Sequence, residues 1–250
     1  MKNSDRILNF LLPIISVAAV VVLWAAAARS VDSEYILPTV GETFTALLEL
    51  FKSAEFYRAF LGTLKRSFIA FSISYILAFF VAFCSYESGK AKRFLSPLLV
   101  IIRALPTIAI VLLLIVWTNS RIAPVIVTML VIFPTLYNNL YSALCGIDKE
   151  LNEMCKVFGV KNYQRITKVV FPQIAPEFIA AAGAGLTLNL KLMVAAEVLA
   201  QTAYSMGYLL NTSKIYFEIP TMLALVLITV ITGLIIEFLF GLWAKKAVKR

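Results

Sequence analysis

The chain has 250 residues, 61% of them apolar and only 15% charged, with a mean hydropathy of +0.88; a soluble domain carries nearer a quarter charged residues, so soluble, disordered and secreted-scaffold classes are excluded. The net charge of +9 comes from 23 Lys plus Arg against 14 Asp plus Glu, and histidine is absent, which removes the usual general base and the commonest zinc ligand. Cys84, Cys145 and Cys155 form no C-x-x-C pair and read as free thiols.

A helix needs about 20 apolar residues to cross the hydrocarbon. Six segments meet or approach that length: Ile7 to Ala28, Ser67 to Tyr86, Phe94 to Trp117, Ile122 to Ile147, Glu177 to Ala200 and Ile219 to Trp243. The expected fold is an all-α integral membrane protein of about six transmembrane helices, a single domain over residues 1–250. The first segment follows Lys2 and Arg6 and ends in Ala26-Ala27-Ala28, as a cleaved leader would. Its apolar run exceeds the roughly 7 to 15 residues of a leader core, so a retained span is expected, with cleavage as the alternative. Between the first two spans, Phe44, Leu47, Leu48 and Phe51 have helical spacing after Pro38 and a Thr39 cap. This predicts an amphipathic helix, lying at the outer interface or covering the ends of neighbouring spans.

With six spans the loops alternate sides. One side collects fourteen cations against five acids and the other seven against six. The positive-inside rule makes the first side, with both termini, cytoplasmic. The largest inner loop runs from Asp148 to Pro172. Leu151, Met154, Cys155 and Phe158 fall at i, i+3, i+4 and i+7 on an otherwise charged segment, one apolar stripe. Asp148 can cap that helix and Gly159 can end it in a left-handed conformation. Asn162 can cap a second short helix that Pro172 stops. Such a pair either folds back on the membrane surface or docks into a groove on another protein.

Four stretches then resemble a known family. Glu153-Met-Cys, Gly159 and Val169-x-Phe171-Pro172 are similar to the E-A-A-x3-G-x9-I-x-L-P loop of binding-protein-dependent ABC importer permeases. Ile36-Leu37-Pro38-Thr39, Arg103-Ala104-Leu105-Pro106 and Val194-Ala195-Ala196-Glu197 resemble stretches of its nitrate, sulfonate and taurine branch. The resemblance covers about residues 35 to 243. Met154 and Cys155 stand in place of two alanines, Leu190 where many members carry Trp, and Trp117-Thr118-Asn119 in place of Trp-Phe-Gly; these departures bear on the substrate more than on the architecture. The resemblance implies a type I importer permease fold with a core over about 60–243 and a coupling loop over about 146–172. It further implies a homodimer, two cytoplasmic ATPase subunits, an external solute-binding protein, and ATP with Mg on the ATPase, no cofactor being bound by this chain. Leu151, Glu153, Met154, Cys155, Phe158, Gly159, Arg165 and Pro172 are the expected coupling residues, with Glu153, Lys156 and Arg165 placed for ion pairs at the rim.

The chain is not expected to be an enzyme. Gly89-Lys90 is its one Gly-Lys pair and Cys84 stands where a P-loop needs its first glycine; Gly183-Ala-Gly185 reads as a close-packing site. Ionisable groups inside spans cost about 2.5 to 3.5 kcal/mol at a helix centre, so Arg103, Asn189 and Lys191 are expected to line or gate a pathway loosened by Pro106, and Glu197 to pair with a cation in the outer half. A static ion pair is the alternative for each charge. Lys191 and Glu197 lie six residues apart, roughly 120° around a helix, too far for a direct pair. Glu177 and Glu237 lie nearer the cytoplasmic ends. Two pathway cations suit a small anion such as a sulfonate, nitrate, bicarbonate or taurine-like compound; a pyrimidine vitamin precursor, as in related permeases, is the alternative cargo. A secondary transporter or channel would instead show inverted repeats or a carboxylate relay, and neither is evident. Membrane lipid is an expected partner and nucleic acid is not.

Overall fold

The computed structural model describes residues 2–31 and 33–248, with the side chains of residues 2–11, 13, 14, 149, 152, 156, 162 and 248 outside the description. Among the described residues every regular element is helical: α1 (Lys2–Val31), α2 (Val40–Leu50), α3 (Ala54–Glu87), α4 (Gly89–Ala104), α5 (Thr107–Trp117), α6 (Ala123–Cys145), α7 (Lys149–Val157), α8 (Asn162–Arg165), a π turn (Ile166–Val170), α9 (Phe171–Ala200), α10 (Met206–Ile215) and α11 (Ile219–Val248). Among the described residues four helical runs are long and apolar enough to cross a membrane: Ala54–Glu87, Ala123–Cys145, Tyr163–Ala200 and Ile219–Ala247. α4 and α5 qualify only as a pair, bent by 90°. α1 contributes a shorter apolar stretch, Ile15–Val31.

The chain folds into two compact units, Met1–Tyr57 with Leu209–Ile228, and Arg58–Tyr208 with Thr229–Arg250. In the first, Thr39 and Glu42 form a reciprocal capping box at the start of α2: the Glu42 N–H donates to Thr39 Oγ1 at 3.2 Å and the Thr39 N–H to Glu42 Oε2 at 2.7 Å. The indole of Trp24 in α1 donates to the Pro38 carbonyl at 3.0 Å, fixing the turn before α2. α2 buries Thr43 and Ala46 and leaves Phe44, Leu48 and Phe51 exposed. Of the expected apolar stripe, Phe44, Leu48 and Phe51 therefore face outward while Leu47 is half-buried.

In the second unit α6 and α9 are central. Ile132, Leu136 and Leu140 of α6 are fully buried among Phe71, Ala78 and Ala82 of α3 and Phe178, Ala182 and Leu186 of α9. Polar side chains tie these helices by donating to backbone carbonyls across their contacts. Ser74 Oγ donates to the Met129 oxygen at 3.2 Å, Tyr75 Oη to Phe178 at 2.9 Å and Thr187 Oγ1 to Gly233 at 3.1 Å. Gly183 and Gly185 permit the approach: a Cβ on Gly183 would lie 2.5 Å from Phe240 Cβ, and one on Gly185 2.6 Å from Leu136 Cδ2.

Two sequence expectations are corrected. The segment Phe94 to Trp117 is not one straight span. Pro106 has no N–H to donate and pushes Leu105 out of the helical region, to φ −67° and ψ 128°, so α4 ends at Ala104 and α5 starts afresh at Thr107. Pro106 thus breaks the span rather than loosening it. Nor does Pro172 stop a short helix before the fifth span. The chain passes from α8 into α9 through the π turn, where the Phe171 N–H donates to Ile166 O, five residues back. That extra residue lets the ladder step past Pro172 without ending the helix.

The two glycines predict unequal tolerance. The atom facing Gly183 is the Cβ of Phe240, fixed to its backbone, whereas Gly185 faces the movable end of Leu136. Gly183→Ala is expected to destabilise the protein by about 1 to 3 kcal/mol as overpacking does, and Gly185→Ala by less. Thermal unfolding of the detergent-solubilised variants measures the difference.

Candidate functional site

The α7 loop is built by local chemistry. Asp148 Oδ1 accepts from the backbone N–H groups of Glu150 and Leu151, at 2.9 and 3.3 Å, and caps α7. The Asp148 N–H donates to Gln173 Oε1 at 3.0 Å, fastening the loop to the start of α9. At the other end Gly159 has φ +65° and the Val160 N–H reaches back to the Cys155 carbonyl at 2.9 Å, a Schellman closure. A Cβ on Gly159 would meet no atom within 4 Å, so the left-handed backbone, not lack of space, calls for glycine there.

The structure divides the apolar stripe. Cys155 is buried, on a helix that packs against the π turn. Leu151, Met154 and Phe158 are exposed, Phe158 by 77%, and Glu153 stands exposed among them. Val157, 84% exposed, belongs to the same outward face, although it lies off the i, i+3, i+4, i+7 spacing that singled out the others. Arg165 is half-buried and Pro172 exposed. The side chains of Lys156 and Asn162 lie outside the described residues.

The membrane charges differ in kind. Glu197 is fully buried in α9 and pairs with Arg66 of α3, Oε1 to Nε at 2.7 Å. Its Oε2 accepts from Thr63 Oγ1 at 2.7 Å and from the Gly207 N–H at 3.4 Å. Thr63 Oγ1 in turn accepts from the Met206 N–H at 2.9 Å, and Arg66 Nη2 donates to the Tyr204 carbonyl at 3.2 Å. One carboxylate therefore clasps α3, α9 and the Gln201–Ser205 turn, whose Gln201 and Tyr204 have positive φ. Gly207 has no room for a Cβ, which would collide with Glu197 Cβ and the Val198 backbone nitrogen. Asn189 is also fully buried, its Nδ2 donating to the Ser67 carbonyl and Oγ at 2.8 and 2.9 Å, so it faces α3 rather than open space.

Arg103 and Lys191 are exposed. Because α4 ends at Ala104, Arg103 occupies a last helical turn, where unpaired carbonyls and the helix dipole favour a cation. Its Nη2 donates to the Pro134 carbonyl of α6 at 3.2 Å, and it lines a cavity of about 280 Å³ between α4 and α6. Among the described residues no three His, Cys, Asp or Glu side chains gather as metal ligands.

The Glu197 clasp makes a stability prediction. Removing one partner of a buried pair strands the other charge and costs about 3 to 5 kcal/mol; Arg66 keeps 19% side-chain exposure, which places the loss at the lower end. Glu197→Ala is expected to lower the unfolding midpoint strongly, and the double replacement Arg66→Met with Glu197→Met to recover part of it. A double variant no better than the single one contradicts the pairing.

These features meet those of known proteins. The chain is 22% identical, over 93% of its length and 84% of the relative's, to the putative aliphatic sulfonates transport permease protein SsuC of Bacillus subtilis. It is 23% identical, over 94% and 92%, to the formylaminopyrimidine transport permease protein ThiX of Halalkalibacterium halodurans. The crystal structure of a bacterial alginate ABC transporter, in complex with an alginate pentasaccharide-bound periplasmic protein, aligns with 99% of this chain and 96% of its own; the TM-score is 0.68 at 15% identity, a likeness of fold. The model of the binding-protein-dependent transport system inner membrane component matches residues 72–249, and the chain belongs to that family of ABC importer permeases.

Proposed function

We propose that this permease couples solute import to ATP hydrolysis on a separate cytoplasmic ATPase, which α7 engages through its exposed face. The observation that carries the reading is that face itself. Leu151, Met154, Val157 and Phe158 are exposed on one short capped helix, an arrangement suited to insertion into a groove. Glu153 and Arg165 supply charge beside it, Gly159 sets the turn that presents it, and Pro172 marks where the loop re-enters α9. Cys155 holds the helix to its own chain. Two copies of the permease, two ATPase subunits carrying ATP and Mg, and an external solute-binding protein complete the transporter. Both termini face the cytoplasm, as the excess of inner cations supports.

The cargo is a small anion of the sulfonate, nitrate or taurine-like class, with Arg103 and Lys191 on its route. Two exposed cations on membrane-span helices and the likeness to a sulfonate permease support this. The likeness to a formylaminopyrimidine permease supports a pyrimidine vitamin precursor as the second reading.

Capture of the tagged protein from native membranes tests the coupling. The unaltered chain is expected to bring down a P-loop ATPase. Glu153→Ala combined with Gly159→Val, or Phe158→Asp alone, is expected to lose it by at least tenfold at unchanged expression. ATPase recovery that survives all of these contradicts the reading.

A further inference from the structure

Lys92, Ser96, Leu99 and Arg103 recur at i, i+4, i+7 and i+11, one face of α4. That face and Tyr137, Asn138 and Tyr141 of α6 line the cavity of about 280 Å³. The ammonium of Lys92 lies 4.7 Å from the ring centroid of Tyr141, within cation–π range, and Tyr141 stacks on Tyr137 at 5.8 Å and 14°. At the other end Arg103 is held by the Pro134 carbonyl. A ring face and a carbonyl orient these two cations but carry no net charge to neutralise them. No carboxylate lines the cavity, and among the described residues neither cation has an ion-pair partner.

Lys92, exposed near the start of α4, and Arg103, in its last turn, are oriented but uncompensated, unlike the Arg66–Glu197 pair, which is neutral overall. A cation inside a membrane segment, as Arg103 is, is retained where something pairs with it. The guanidinium fork and the ammonium both match carboxylate, sulfonate and phosphate oxygens, and the hydroxyl of Ser96 and amide of Asn138 add neutral donors. The volume lies below the roughly 300 to 1,000 Å³ of pockets for drug-sized ligands, which limits the occupant to a small one. We propose that the α4–α6 groove is a binding site for a small oxyanion, held between Lys92 and Arg103. Naming that anion the cargo rests on the permease reading above; the binding itself does not.

The experiment is calorimetric titration of the purified full chain in lipid nanodiscs with methanesulfonate, and with methanesulfonamide as a neutral molecule of nearly the same shape. The unaltered protein is expected to bind one methanesulfonate saturably and methanesulfonamide at least tenfold more weakly. Lys92→Gln and Arg103→Gln should each weaken methanesulfonate at least tenfold, and Lys92→Arg should keep it. Lys92 is exposed, so its replacement reports on binding even if Arg103→Gln disturbs α6. Absence of methanesulfonate binding, equal binding of the neutral molecule, or unchanged affinity in Lys92→Gln overturns the site. Capture of the ATPase from the same membranes separates the two readings: sulfonate binding without ATPase capture removes the coupling proposal and leaves this site standing.

Discussion

Hydrocarbon offers no hydrogen bonds, so polar groups within membrane spans must find partners in the protein. The helical ladders satisfy most backbone groups, and the remaining problems are solved one at a time. Glu197 is the most demanding case, a fully buried carboxylate whose oxygens accept from Arg66, Thr63 and Gly207. Those bonds require α3 and α9 to meet at that level, and they require Gly207, because a side chain there would collide with Glu197. Lower in the same packing, Asn189 is met by Ser67, Tyr75 by the Phe178 carbonyl, and Thr187 by that of Gly233. Helix geometry obeys the same constraint: the π turn carries the ladder past Pro172, while at Pro106 the chain bends by 90° and begins a new helix.

Where internal partners end, the surface on which a transporter acts begins. Lys92 and Arg103 are oriented but not neutralised, and the outer face of α7 exposes Met154, Val157 and Phe158 on a helix with charged neighbours. The first is a demand for an anion, the second a demand for an apolar groove. On the proposed reading, the anion is the solute and the apolar groove belongs to the ATPase that drives its import.

Features set by neighbouring residues were legible in the sequence. Thr39 at the start of α2, Asp148 at the start of α7 and Gly159 at its end are each determined within a few positions, and each is found as its residue type requires; the return bond to Glu42 was not read from the sequence. Four of the six long apolar runs coincide with helices long and apolar enough to cross, for the same reason. Relationships across the chain were not legible. Glu197 demanded a cation, but nothing local names Arg66, 131 residues away. Periodicity drew the stripe of α7 without saying that Cys155 faces its own chain. Lys92 read as one of several cytoplasmic cations until α6 placed Tyr141 beside it. The two prolines show the limit most plainly, since Pro106 breaks a helix and Pro172 is absorbed by one, and the difference lies in the π turn that leads into Pro172 and has no counterpart before Pro106.

In this account the clasp at Glu197 makes α3 and α9 a stiff unit, and the bond from Asp148 to Gln173 ties α7 to the start of α9. On the proposed reading, force applied to α7 passes to α9 and, through its packing, to α6, one wall of the groove. The most direct measurement is the distance between spin labels on Cys replacing Val157 in the two copies of the assembled transporter, read by pulsed electron resonance with and without non-hydrolysable ATP. The account predicts that nucleotide binding shortens this distance and that Phe158→Asp abolishes the change. A distance unmoved by nucleotide in a complex that retains its ATPase would contradict it.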